Sequence, residues 1–408
     1  MSTGKSLAGL RVLDLARVLA GPYCTQILAD LGAEVIKIER PGKGDDARVM
    51  GPPYFKDRNG VDTDLTPMFA AANRNKQSVT VNLAHPDGQD IVRRLADQAD
   101  VLVENYKVGD LARHGLDQAS LRQRNPRLIY CSITGFGQTG PYAQRPGYDS
   151  VFQATSGLMS VTGFADANGG APVRMGVSIT DIVGGLHGVI AIQAALRHRD
   201  LTGAGQYIDL GLLDVAVATT SHLMMTYLAT GNPPTRRGNE GVGGIPSDMW
   251  PCADGYLLAV AGNDAQYRRL CSAMGRMDLA DDPRFRTNSD RQRHKPEVYA
   301  VWRAEFSKWT TADAERALLA AGLPVAPVND LAQVTANEQV RARGMLREIA
   351  RPSADPIPTL AFPARFTDIP DDPGAPPPRL GEHNQQVLGG LLGFDPEHIA
   401  RLARERAI

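Results

Sequence analysis

The sequence predicts an α/β protein with a mostly parallel sheet. Short apolar runs alternate with stretches of helical spacing from Arg11 to Ile133, glycine and proline mark the joints, and each run is long enough for a strand but too short for a buried helix.

Arg11–Ala16 reads as the first strand. Ala20-Gly21-Pro22 breaks it, Tyr23–Leu31 has helical spacing with Pro22 suited to a first turn, and Gly32 fits a C-terminal cap before a second strand at Glu34–Ile38. The pattern then repeats: strand Ser78–Leu83, helix Gly88–Ala99, strand Val101–Val103, helix Leu116–Arg122 and strand Leu128–Ile133. The irregular segment Pro41–Asp64 is longer than ordinary connections, which marks it as a functional or disordered loop. A long helix opens near Asp181, a strand follows at Tyr207–Leu210, and another helix runs to Thr230. The character changes at Gly231-Asn232-Pro233-Pro234. From there to about Val325, a strand at Gly255–Ala261 and helical patterns at Ala265–Met274 and Thr311–Ala321 predict a smaller α+β domain. Asp371–Pro378 reads as a stiff extended linker.

Composition narrows the function. The 408 residues hold 44 Lys+Arg against 45 Asp+Glu, a balance that provides no broad field for nucleic acid or an acidic membrane. Cys24, Cys131, Cys252 and Cys271 are widely spaced, encoding neither a disulfide scaffold nor a metal site and pointing to a reducing cytoplasm. No signal peptide is expected at the N-terminus. The apolar stretches Ile182–Leu196 and Tyr207–Thr230 carry polar interruptions and read as core helices rather than membrane spans.

Gly135-Phe136-Gly137-Gln138-Thr139-Gly140 matches the dinucleotide fingerprint literally. That motif works only where the glycine turn opens a helix, and here Pro141 and Pro146 follow instead, so an NAD-dependent oxidoreductase is disfavoured. The strand, Gly-x-Ser-x-Gly and helix sequence of a serine hydrolase is absent. The remaining constellation is acidic. Asp181 stands where an extended segment meets a long apolar helix: it reads either as a helix-start residue or as a nucleophilic carboxylate, with Gly184-Gly185 leaving room for a ligand. Asp149 reads as a turn or supporting acid. Arg17, Lys37, Arg40, Lys43, Arg48, Arg74 and Lys76 are expected as solvated charges, with Arg40 set apart because it ends a strand at the edge where open α/β sheets bind ligands.

Several ordered motifs strongly resemble the class III coenzyme A transferases. They include Leu7-Ala8-Gly9-Leu10-Arg11-Val12-Leu13-Asp14, Ala20-Gly21-Pro22, Leu31–Pro41, Asn73-Arg74-Asn75-Lys76, Val103-Glu104-Asn105-Tyr106, Asn125–Tyr130, Thr134–Pro141, Gly203-Ala204-Gly205-Gln206 and Pro378–His383. The resemblance implies a Rossmann-like large domain from residues 1–225 and 326–408, a small α+β domain at 226–325, and a homodimer of interlocked rings. It implies that Asp181 is the nucleophile, and that coenzyme A, a substrate rather than a tightly bound cofactor, lies over Val18, Leu19, Ala20, Arg40, Val81, Asn105, Tyr106, Arg113 and Phe136.

The family also contains α-methylacyl-CoA racemases, which carry His where this chain has Tyr148. A tyrosine with an ordinary pKa near 10 is a poor proton shuttle, so transfer is favoured over racemisation; a coenzyme-binding relative without turnover is the third reading. Gly241-Val242-Gly243-Gly244 resembles the family's mobile glycine loop. That loop and Gly44–Arg48 look most like the succinyl-CoA-dependent dicarboxylate transferases, where a second carboxylate on the acceptor wants an arginine; Arg48, Arg74 and Arg174 are the candidates.

Overall fold

Val12, Leu13, Val35, Ile36, Val101 and Leu102 are almost fully excluded from solvent, and neighbouring positions along each strand point into two different apolar clusters, one on each side of the sheet. A sheet buried on both faces favours parallel strands joined by covering helices. The computed structural model describes residues 4–166, 169–241, 243–351, 354–369 and 372–408. Its main sheet has six strands, β1 (Arg11–Asp14), β2 (Glu34–Glu39), β3 (Lys76–Thr80), β4 (Val101–Glu104), β5 (Ile129–Thr134) and β6 (Tyr207–Gly211), in the order β3-β2-β1-β4-β5-β6, all parallel. This is the Rossmann order, and its direction reverses between β1 and β4, where open α/β sheets receive ligands beyond the carboxyl ends of the strands.

The local chemistry explains the joints. The helix after β1 spans Ala20–Asp30, takes Pro22 into its first turn and ends before Gly32, whose φ of 107° suits glycine. Asp117 caps the Gln118–Arg124 helix by accepting from the Ala119 and Ser120 amides. After β5 no helix follows the glycine turn; the next begins at Asp149, so the dinucleotide geometry is missing. The C-terminal segment closes the exposed edge of β3: the Ser78 amide donates to His383 Nδ1 at 3.2 Å and the Thr80 amide to Asn384 Oδ1 at 2.9 Å.

By Cα proximity the chain divides into two units: residues 1–159, 174–233 and 342–408 form the first, and 160–173 with 234–341 the second. The second holds the antiparallel sheet of β7 (Ser247–Pro251), β8 (Tyr256–Val260) and β9 (Val325–Pro327), with helices around a core of Trp250, Trp302 and Phe306. The antiparallel pair β10 (Leu346–Arg351) and β11 (Ala354–Leu360) belongs to the first unit.

Two expectations change. Lys37, Lys76, Arg48 and Arg74 are buried rather than solvated, because each is paired with a carboxylate that the fold brings to it: Asp45, Asp14, Glu39 and Asp30 respectively. The helices Ile179–Thr202 and Leu212–Thr230 do reach the length and mean hydropathy of a membrane span, and they carry a broad exposed apolar surface that includes Leu186, Ile190, Met225 and Leu228.

Candidate active site

The loop after β1 is held from beneath by buried ion pairs. Lys37 Nζ, on β2, lies 2.8 Å from Asp45 Oδ2 and donates to the Ala16 carbonyl at 2.8 Å. Asp45 Oδ1 in turn accepts from the Val18 amide at 3.0 Å. Lys76 Nζ bonds Asp14 Oδ2 at 2.9 Å and the Pro22 carbonyl at 2.8 Å. Burial opposes the charge on Lys37, yet Asp14, Asp45 and Glu39 outweigh it and hold its pKa above that of an ordinary lysine. The network keeps Val18 at a φ of 68°, a strained conformation for a β-branched side chain. Across the switch point Asn105 pairs with Arg17 in both directions, accepting its amide at 2.9 Å and donating to its carbonyl at 2.7 Å. Glu104, buried at the end of β4, accepts the Tyr106 amide at 2.8 Å, and burial pushes its carboxyl up to about 7.

The Ile179–Thr202 helix reaches this loop by close packing. A Cβ on Gly185 would stand 2.9 Å from the Ala20 carbonyl oxygen and 3.3 Å from the Cys24 amide, so glycine here permits helix contact rather than ligand approach. Asp181 lies in the first turn of that helix. Its neighbour Thr180 is tied to Asp149: one Asp149 oxygen accepts the Thr180 amide at 2.8 Å and hydroxyl at 2.6 Å, while the other accepts Gln153 Nε2 at 2.6 Å. Asp181 itself has no hydrogen-bond or ion-pair partner among the described residues. The positive end of the helix favours its anion, but burial, and then the charge of Asp149, raise the carboxyl to about 7. In its anionic form, an unpartnered carboxylate of raised basicity is able to act as a nucleophile.

Asp181 opens into a cavity of about 460 Å³ at the carboxyl ends of β1, β4 and β5. Of the residues expected from sequence, Val18, Leu19, Ala20, Asn105 and Tyr106 line the same cavity. Phe136 stands behind its wall, edge-on to Phe152 at 5.3 Å, and Arg40 is ion-paired with Asp46, which does line it. The rest lie elsewhere. Val81 is in the core, and Arg113 is exposed beside Asp110. Arg48 grips Glu39 with two bonds of 2.7 Å and stacks on Phe69. Arg74 grips Asp30 and donates to Thr359 Oγ1 at 3.1 Å, and Arg174 is exposed. Gly243 and Gly244 belong to the second unit, where Gly244 packs on the Gly262 backbone so tightly that no side chain fits; Val242 is outside the described residues. Sequence reasoning missed Arg17, Asp46, Lys107 and Arg145 as cavity residues. Arg17 could have been found from its position one loop residue before Val18.

A parallel sheet with an unpartnered carboxylate opening into a cavity at its switch point is an arrangement that can carry acyl-transfer chemistry. The chain belongs to CoA-transferase family III, which it matches over residues 7–384. It is 45% identical over 385 residues to the succinate–glutarate CoA-transferase of Agrobacterium fabrum, covering 94% of this chain and 95% of that protein. It is 39% identical to the human succinyl-CoA:glutarate CoA-transferase, over 98% of this chain and 90% of that one. A crystal structure of a CAIB/BAIF family protein from Brucella suis superposes with a TM-score of 0.88 at 41% identity, over 95% of this chain and all of that one.

Proposed function

We propose that this CoA-transferase moves coenzyme A from succinyl-CoA to a dicarboxylic acid, with Asp181 as the nucleophile. The observation that carries the reading is the unpartnered Asp181 carboxylate opening into the cavity at the sheet's switch point. The succinyl donor and dicarboxylate acceptor are supported by the names of the relatives from A. fabrum and human.

In the first step Asp181 attacks the thioester carbonyl; a C–O bond forms, the C–S bond breaks and CoA thiolate leaves a mixed anhydride. The thiolate then attacks the aspartyl carbonyl, releasing succinate and leaving an enzyme thioester. The acceptor carboxylate displaces the thiolate from Asp181, and the thiolate takes the new acyl group, regenerating the free carboxylate. Val18, Leu19, Ala20, Asn105 and Tyr106 are the proposed walls for the coenzyme, and Arg17, on the cavity wall, and Arg40, which shares Asp46 with it, are the proposed contacts to its phosphates. Coenzyme A enters and leaves as substrate.

The exposed apolar surface of the Ile179–Thr202 and Leu212–Thr230 helices supports a homodimer in which a second copy covers it. The free thiols Cys24, Cys131, Cys252 and Cys271 support a reducing, cytoplasmic setting.

Incubation with succinyl-CoA and a panel of dicarboxylates, read by mass spectrometry, should yield new CoA esters. Asp181→Ala should abolish exchange and retain coenzyme binding. Uptake of deuterium at the α-carbon without acyl exchange would instead establish racemisation.

A further inference from the structure

Arg48 and Arg74 hold buried or half-buried carboxylates of the protein itself, Glu39 and Asp30, so neither guanidinium is open to a substrate. The cavity that contains Asp181 is lined by two arginines. Arg17 is ion-paired with Asp46 at 3.0 Å. Arg145 has no carboxylate partner, and no side-chain hydrogen bond, among the described residues.

Arg145 is nevertheless fixed in place. Its guanidinium carbon lies 3.5 Å from the centre of the Tyr142 ring; Tyr142 packs edge-on against Phe136 at 5.8 Å, and Phe136 edge-on against buried Phe152 at 5.3 Å. The ladder ends in the Asp149–Thr155 helix, whose first residue anchors Thr180 beside Asp181. Stacking occupies the flat face of a guanidinium and leaves its in-plane N–H groups free, the geometry that accepts a carboxylate with two parallel hydrogen bonds. Lys107 is the other cation on the wall without an ion pair among the described residues, but it follows Tyr106 at the β4 end and offers only a point charge.

Resting on the dicarboxylate-transfer reading above, we infer that Arg145 binds the distal carboxylate of the acceptor and so selects dicarboxylic over monocarboxylic acids. The free carboxylate of a succinyl donor would use the same fork, because donor and acceptor occupy the acyl site in turn.

The test is a competition in one vessel: succinyl-CoA with equal concentrations of glutarate and pentanoate, which match in chain length and differ by one carboxylate. The ratio of glutaryl-CoA to pentanoyl-CoA reports the ratio of kcat/KM values, and any effect on the shared donor cancels. The native enzyme should favour glutarate. Arg145→Ala should lower that ratio by about 10- to 100-fold, the scale of a charge-assisted bidentate contact, and Arg145→Lys should fall between the two. A ratio unchanged in Arg145→Ala, or loss of both products by a variant that still folds and binds coenzyme A, would overturn the assignment. Absence of any new ester with the native enzyme would instead remove the transfer reading on which it rests.

Discussion

One oxygen of Asp149 accepts both the amide and the hydroxyl of Thr180, at 2.8 and 2.6 Å, and so fixes the start of the helix one residue before Asp181. Asp149 is buried and presents its charge to Asp181 while leaving that carboxylate unbonded. It therefore sets both the position of the proposed nucleophile and part of its basicity.

Asp149→Asn removes the neighbouring charge and keeps an oxygen that can accept from Thr180. Loss of the repulsion lowers the Asp181 pKa from about 7, so the acid limb of the kcat/KM profile should move to lower pH. A merely structural role for Asp149 would lower activity without moving that limb. Stability should fall by about 1–3 kcal/mol, from weakened bonds to a charged acceptor.

Asp181→Asn should stabilise the enzyme in a pH-dependent way. A carboxyl raised from 3.8 to about 7 by folding contributes stability that is complete below pH 3.8 and lost as pH rises through 7, when a half-buried anion must form. The asparagine variant has no such loss. Its advantage over the native enzyme should therefore grow between pH 4 and 8, by about 2–4 kcal/mol at roughly 1.4 kcal/mol per pH unit. Denaturant melts at the two pH values measure it; an advantage independent of pH would contradict the raised pKa.

Gly184 and Gly185 should respond unequally to alanine. A Cβ at 184 meets the flexible end of Leu212, at 2.5 Å, whereas at 185 it meets the Ala20 carbonyl oxygen at 2.9 Å and the Cys24 backbone, which cannot turn aside. Alanine's gain in helix propensity is about 1 kcal/mol at either site. Gly184→Ala should be near neutral, and Gly185→Ala should cost about 1–3 kcal/mol and lower kcat, because it shifts the helix that carries Asp181. Thermal melts and initial rates on the pair decide this.

The parallel sheet was legible because apolar runs, helical spacing and Gly/Pro punctuation agree from Arg11 to Ile133. Antiparallel β10 and β11 were not legible, since Pro356 and Pro358 obscure a strand in which proline is tolerated away from central pairing. At the site, the place of Asp181 at a helix start could be read locally. The fate of the arginines could not: Arg48 and Arg74 find their acids 9 and 44 residues away, and Arg145 gains its meaning from ring stacking through Phe136 and Phe152. Burial of Lys37 and Lys76 likewise depends on Asp45 and Asp14, which only the folded sheet brings to them.

The central claim is that Asp181 becomes covalently acylated during turnover, and the most direct measurement is trapping with hydroxylamine or borohydride during reaction with succinyl-CoA, followed by peptide mass spectrometry. Modification confined to Asp181 is the predicted result. An unmodified Asp181, with the label on another side chain, would contradict the account.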